Sequence, residues 1–264
     1  MDLELEGKRA LVSGSTAGIG WAIAAALAGE GAEVVLNGRT AARVEAAVAQ
    51  VRARHPGARV RGMAADLGTA EGCARVVREL PEVDVLVNNL GIFAAVPFEG
   101  ITDAEWMRFF EVNVLSGVRL ARAYLSGMKA RNWGRILFIS SESAVQIPVE
   151  MIHYGTTKTA QLAVSRGLAE TTRGTGVTVN AILAGPTRSE GVEGFVEGLA
   201  AQQGVSAAQV ERDFFSSARP TSLLQRFATP EEVAAFTVFV ASGRASAVNG
   251  AALRVDGGVV RAIV

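Results

Sequence analysis

Short, unbroken apolar runs alternate with longer helix-like stretches along the whole chain, and this alternation restricts the fold more than any other feature. Runs over residues 9–13, 33–37, 59–64 and 83–88 are rich in Val, Leu and Ala. A strand that is apolar at consecutive positions, rather than at every second one, is buried on both faces, as in parallel sheets covered by helices. Between these runs, residues 18–29, 40–54 and 69–80 read as helices. Strand–helix–strand at this spacing predicts right-handed crossovers. The pattern continues with one long helix over 102–131, on which Trp106, Phe109, Phe110, Val114, Val118 and Leu125 fall near helical spacing. A strand at 135–140, a helix at 149–172, a strand at 177–183, a helix after Pro230 and a last strand at 251–255 follow. The expectation is an α/β chain in a single domain over 1–264. Its core is a doubly wound parallel sheet of about seven strands with helices on both faces. Residues 185–229 are less regular and rich in Gly, Gln, Ser and Ala, and an insertion of that length is expected to form a substrate lid.

Composition narrows the function. With 49% hydrophobic and 20% charged residues, the chain can bury a large core and is not a disordered segment. Lys plus Arg equal Asp plus Glu, 26 against 26, and this balance argues against nucleic acid as the main partner. The single cysteine, Cys73, excludes an intrachain disulfide and a cysteine-based zinc site. The two histidines, His55 and His153, form no metal-binding spacing, so no metal is expected. The acidic start, Met1-Asp2-Leu3-Glu4, lacks the order of a secretory signal, and no 18-residue apolar run spans a bilayer. A cytoplasmic protein with no membrane partner is expected.

The first strand runs into Ser13-Gly14-Ser15-Thr16-Ala17-Gly18-Ile19-Gly20 and then a helix. Glycines at 14, 18 and 20 permit a sharp turn and close approach of a pyrophosphate, and the helix start offers free N–H groups and a positive dipole end. The spacing is G-x-x-x-G-x-G rather than G-x-G-x-x-G. The second strand ends in Leu36-Asn37-Gly38-Arg39. In dinucleotide folds, an acid just past this strand binds the ribose hydroxyl of NAD, whereas an arginine accommodates the 2′-phosphate of NADP. Here no acid is present and Arg39 is, which favours NADP; a solvated Arg39 is the competing reading.

Tyr154 and Lys158 stand four residues apart, so they share a helix face. A phenol with pKa near 10 is a poor base at neutral pH, and a neighbouring ammonium is expected to lower that value. Ser141 follows a strand thirteen residues before Tyr154, and Asn88-Asn89 also follow a strand. All belong at the carboxyl edge of the sheet, where α/β proteins bind ligands.

Taken together, the glycine turn, the Asn-Asn pair and the Ser–Tyr–Lys set resemble the short-chain dehydrogenase/reductase family over about residues 5–258. The resemblance implies a Rossmann-like fold and hydride transfer between NAD(P) and a carbonyl or alcohol, with 3-oxoacyl groups on acyl carrier protein as one candidate substrate. It implies catalysis by Ser141, Tyr154 and Lys158, with Asn113 joining the proton relay. It also implies that Gly14, Thr16, Gly18, Ile19 and Gly20 hold the pyrophosphate and that Arg39 faces the ribose. Asp66 and Leu67 would meet the adenine, and Asn89, Gly91, Tyr154, Lys158 and Thr187 the nicotinamide side. NADP is the preferred cofactor, with NAD the alternative, and a homotetramer is expected from the family and from the apolar long helices. Three positions depart from the family pattern: Leu90 in Asn88-Asn89-Leu90-Gly91, Ala184 in Ala184-Gly185-Pro186-Thr187, and Ala17, where a second basic residue often stands. The competing reading from another class is a catalytically silent NADP-binding scaffold or sensor, which the intact Ser–Tyr–Lys–Asn set opposes. Only six residues follow Gly258, too few for the larger substrate domain of sugar-nucleotide epimerases.

Overall fold

The structure is a computed structural model and describes residues 1–263. Its seven strands lie in one sheet with spatial order β3-β2-β1-β4-β5-β6-β7. They are β1 (Arg9–Val12), β2 (Glu33–Gly38), β3 (Val60–Ala64), β4 (Val85–Asn88), β5 (Gly134–Ser141), β6 (Val177–Ala184) and β7 (Ala252–Val255). Every neighbouring pair is parallel. The order reverses between β1 and β4, which creates a crevice at their carboxyl ends.

Within each strand, alternate residues feed two separate cores. Ala10 and Val12 of β1, Val34 and Leu36 of β2, and Val85 and Val87 of β4 pack in one layer. The helices on that face are α1 (Gly18–Gly29), α2 (Ala41–Arg54) and α9 (Pro230–Ala241). Leu11, Val35 and Leu86, between those positions, enter the other layer with α3 (Ala70–Glu79), α5 (Ser116–Ala130) and α6 (Ile152–Glu170). Both layers are buried and apolar, so the strands are apolar at successive positions, as the sequence predicts.

Capping explains several boundaries. Thr69 accepts a hydrogen bond from the Gly72 amide and starts α3. At α9 the Thr229 hydroxyl accepts from the Glu232 amide at 3.2 Å, and the Glu232 carboxylate accepts from the Thr229 amide at 2.8 Å, with Pro230 at the first turn.

Two expectations are refined. The helix expected over 102–131 runs without a break over 103–130, but its middle is wound differently. It comprises α4 (Asp103–Phe110), a π-helical segment (Glu111–Leu115) and α5. One turn there closes through i+5 rather than i+4 bonds, a local change that periodicity does not reveal. Residues 185–229 are also more regular than expected, containing α7 (Glu190–Gln203) and α8 (Ala207–Ser217). Glycines at 191, 194 and 198 lower the helical signal of α7, but Gly204 closes it in a left-handed conformation with φ +67°. Among the described residues, no helix is long and apolar enough to cross a membrane.

Leu86 is fully buried at the centre of the sheet. Leu86→Ala should lower the free energy of unfolding by roughly 2–5 kcal/mol, read as a lowered urea midpoint at unchanged slope.

Candidate active site

Hydrogen bonds at the end of β1 build the crevice. The Ser13 hydroxyl accepts from the amides of Asn89 at 2.9 Å and Leu90 at 3.0 Å. The Asn89 side chain donates to the carbonyls of Ser13 and Gly14. On the other side, the Ser15 hydroxyl accepts from the Asn37 amide at 2.9 Å, and the Asn37 side chain accepts from the Gly14 amide. The glycine turn is thus tied to β4 and β2 at once.

The turn has the shape of an anion cradle. Gly14 has φ +60°, and a Cβ built there would lie 3.1 Å from the Leu90 Cα. A Cβ at Gly20 would come within 2.4 Å of the Asn89 Nδ2. Neither position admits a side chain, and the amides of 18–20 open α1, so the residues present fit a dinucleotide pyrophosphate. Leu90, one of the departures, packs over Gly14 and against the second core. Thr16 and Ile19 stay partly exposed on the turn. Gly38, which the sequence reading passed over, leaves room for the Thr16 methyl, which a Cβ there would meet at 2.4 Å.

Arg39 is exposed just past β2 and, among the described residues, makes no ion pair. Its neighbour Arg43 pairs with Glu190 of α7 at 2.9 Å, beside the turn. Asp66 is exposed, with its carboxylate accepting from the Gly68 amide. The Leu67 side chain lies in the second core, so a contact with adenine could come only from its main chain. Thr187 is buried, and its hydroxyl donates to the Gly185 carbonyl.

At the same edge, beyond β4 and β5, Ser141, Tyr154, Lys158 and Asn113 converge. The Lys158 Nζ donates to the Ile139 carbonyl at 2.9 Å and lies 5.6 Å from the centre of the Tyr154 ring. A Cβ at Gly91 would lie 3.4 Å from that Nζ and 3.6 Å from the Asn113 Oδ1, so Gly91 keeps the space between them open. Asn113 sits in the π-helical segment. Its side chain accepts from the Ile92 amide at 2.8 Å and donates to the Ile92 carbonyl and the Thr157 hydroxyl, both at 3.0 Å. It therefore braces the loop after β4 against α6. Its main-chain carbonyl accepts from the Gln161 side chain at 2.6 Å, and Gln161 also lies 3.5 Å from Lys158 Nζ. Gln161 was not singled out in the sequence, although its place one turn after Lys158 was visible.

The electrostatics correct one expectation. The Tyr154 pKa is raised here, not lowered. Burial pushes the phenol well above its ordinary range, with Ser141 and Arg219 opposing the rise and Glu142 adding to it. Burial likewise pulls the Lys158 ammonium down to about 8. Both groups are driven towards their neutral forms by desolvation, and the Lys158 Nζ lies over the Tyr154 ring.

Ser141 also touches a group that sequence reasoning did not weigh. Its hydroxyl donates to the Glu142 carboxylate, which is paired with Arg219 at 2.9 Å. Glu142 stood beside the serine in sequence, but nothing in the sequence pointed to Arg219, 77 residues away. His153, next to Tyr154, is fully buried against Phe109 with ring centres 4.0 Å apart, a packing residue. Cys73 is buried in α3 and burial raises its pKa, so its thiol is not reactive.

A family model described as enoyl-(acyl carrier protein) reductase matches residues 14–260. An uncharacterized oxidoreductase of Bacillus subtilis, YvaG, is 49% identical over the full length of both chains. A 3-oxoacyl-[acyl-carrier-protein] reductase of Aquifex aeolicus is 31% identical, over 98% of this chain and 100% of that one. The crystal structure of L-sorbose reductase from Gluconobacter frateurii, complexed with NADPH and L-sorbose, superposes with a TM-score of 0.92 at 34% identity and covers all of both chains. The chain belongs to the short-chain dehydrogenase/reductase family. Its activity is that of an NAD(P)-dependent oxidoreductase acting on carbonyl or alcohol groups.

The lowered Lys158 value has a measurable consequence. Because the folded value of about 8 lies below the ordinary 10.5, the unfolded chain binds the extra proton between the two, and this contribution to stability rises with pH across that window. In urea titrations from about pH 7 to about pH 10.5, wild type should gain on Lys158→Met by on the order of 3 kcal/mol. Parallel pH profiles for the two proteins would show that Lys158 is charged and solvated in the fold.

Proposed function

We propose that this protein reduces a ketone to a secondary alcohol with NADPH, using Tyr154 as the proton donor. The convergence of Ser141, Tyr154, Lys158 and Asn113 beside the glycine turn carries this reading. The nicotinamide cofactor, when bound, supplies the hydride. Tyr154 gives its proton to the carbonyl oxygen, and a phenol kept neutral by burial is in the correct form to do so. Ser141 hydrogen-bonds the same oxygen as negative charge develops. Lys158 would hold the nicotinamide ribose, and Asn113 keeps the loop after β4 fixed against α6 and takes part in proton resupply. Gly14, Thr16, Gly18, Ile19 and Gly20 would hold the pyrophosphate, Asp66 and the Leu67 main chain the adenine, and Asn89, Gly91 and Thr187 the nicotinamide side.

The named relatives act on a 3-oxoacyl chain carried by acyl carrier protein and on L-sorbose. Both present a ketone, and that shared group is the substrate class we assign, with 3-oxoacyl-acyl-carrier-protein included in it. Residues 185–229, through α7 and α8, serve as the substrate lid; the Arg43–Glu190 pair that joins α7 to α2 supports this. The exposed Met107 of α4 and Phe239 of α9 support a homotetramer that covers both surfaces. A cytoplasmic location fits a cofactor-dependent reductase with no membrane-spanning helix among the described residues. No observation favours a silent scaffold.

NADPH consumption with a panel of ketoses, small ketones and 3-oxoacyl thioesters tests the activity. Tyr154→Phe should lower turnover at least about 100-fold while cofactor affinity stays within a few-fold, because only the phenol oxygen is lost. A variant that keeps a tenth of the wild-type rate overturns the acid assignment.

Arg39 decides cofactor choice. It is exposed and unpaired among the described residues, no carboxylate stands at 37–39, and a guanidinium can hold a 2′-phosphate by two parallel bonds. Such a charge-assisted contact is worth roughly 1.5–3 kcal/mol, or about 10- to 150-fold in affinity. With Ala17 contributing nothing, the lower half of that range is expected. NADPH should be preferred, and Arg39→Ala should weaken NADPH about tenfold with little effect on NADH, compared through kcat/KM for both cofactors. Equal use of NADH by the wild type would place Arg39 in solvent.

A further inference from the structure

Beyond the residues assigned above, a buried ion pair lies directly behind Ser141. Glu142 is 4% exposed and Arg219 is 8% exposed. The Arg219 Nε donates to Glu142 Oε1 at 2.9 Å. Its Nη1 donates to the Ala218 carbonyl and lies 3.6 Å from the Glu150 carboxylate, just before α6. The other oxygen of Glu142, Oε2, accepts from the Ser143 amide at 2.8 Å, the Ser143 hydroxyl at 3.1 Å and the Ser141 hydroxyl.

A carboxylate is an awkward neighbour for carbonyl reduction. It is costly to bury, and it opposes the negative charge that grows on the substrate oxygen. Ser141 has one hydroxyl proton. Its oxygen accepts from the Ser143 amide at 3.1 Å, and that proton points to Glu142. The strength of Glu142 as an acceptor therefore governs how readily Ser141 turns its proton to a substrate. Arg219 occupies the far oxygen and offsets the charge. It is carried in by the segment that follows α8, the part of the chain assigned to the lid.

We infer that Glu142 and Arg219 are positioning residues for the reaction: the pair orients the Ser141 hydroxyl and fixes the net charge beside the Tyr154 phenol. The inference rests on the proposed roles of Ser141 and Tyr154. Four polar or charged groups face or act on that phenol. Ser141 and Glu142 come from the end of β5 and its following turn, Arg219 from the segment after α8, and Lys158 from α6, while the Phe93 ring stands edge-on at 6.3 Å. Glu142 pushes the phenol up and Arg219 pulls it down, so removal of either leaves the other unopposed.

The chain has two tyrosines, Tyr124 and Tyr154, so in a Tyr124→Phe parent the tyrosinate absorbance reports Tyr154 alone. This full-length parent is titrated without substrate, with circular dichroism recorded in parallel to follow the fold. Glu142→Gln should move the phenol midpoint down by about one unit or more, the scale of one neighbouring charge. Arg219→Gln should move it up, beyond the pH at which the parent titrates or unfolds. The double variant, Glu142→Gln with Arg219→Gln, should return to within about half a unit of the parent. A purely structural pair would shift the unfolding pH and leave the phenol where it was. The inference is overturned if Glu142→Gln titrates with the parent, if it yields no tyrosinate signal before it unfolds, or if the folded double variant does not return. No turnover is involved, so this failure is distinct from failure of the Tyr154→Phe test.

Discussion

The end of β1 is the fixed point of the molecule. Ser13 and Ser15 each spend a buried hydroxyl on a neighbouring strand, Ser13 on the chain leaving β4 and Ser15 on β2. Parallel strands at a point of reversed order diverge, and the backbone groups there lack ladder partners. The two hydroxyls, with Asn37 and Asn89, supply those partners. The glycine turn can then hold its left-handed conformation because these bonds tie it to both neighbouring strands. The loop carrying Gly91 inherits its position from the same bonds and is handed on to α6 through Asn113.

Much of this was legible from residue order. A parallel sheet buried on both faces writes itself as consecutive apolar residues, so all seven strands were located to within about two residues. The glycine turn and the Ser–Tyr–Lys set were visible because their chemistry depends on spacings short enough to read along the chain. Other features left no local trace. The π-helical segment Glu111–Leu115 has the same apolar spacing as an α-helix. Its cause is tertiary, since Asn113 must face both Ile92 and Thr157. The helix α7 was hidden by its glycines. Arg219 was invisible because its partner lies 77 residues away.

The sign of the Tyr154 shift shows why spacing alone misjudges electrostatics. Four residues apart on a helix predicts that two side chains are neighbours, and they are. It does not predict how dry the space is. Both groups are pushed towards their neutral forms by loss of water, so the site holds a neutral phenol and an amine close to its titration point. A proton donor in its protonated form is what ketone reduction requires.

The helix that carries Asn113 contains an irregularity with a topological meaning. A π turn is equivalent to one residue inserted into an α-helix. Each residue of an α-helix advances about 100° around the axis. Deleting one position between Glu111 and Leu115 would restore a regular helix and rotate α4 about its axis relative to α5 by about that angle. Phe109 would leave His153, and Leu120 and Tyr124 could keep their places only if the whole of α4 swung outward. The insertion therefore acts as a phase shift. It lets one continuous rod present Phe109 to α6 on one side of the defect and Leu120 to the sheet on the other.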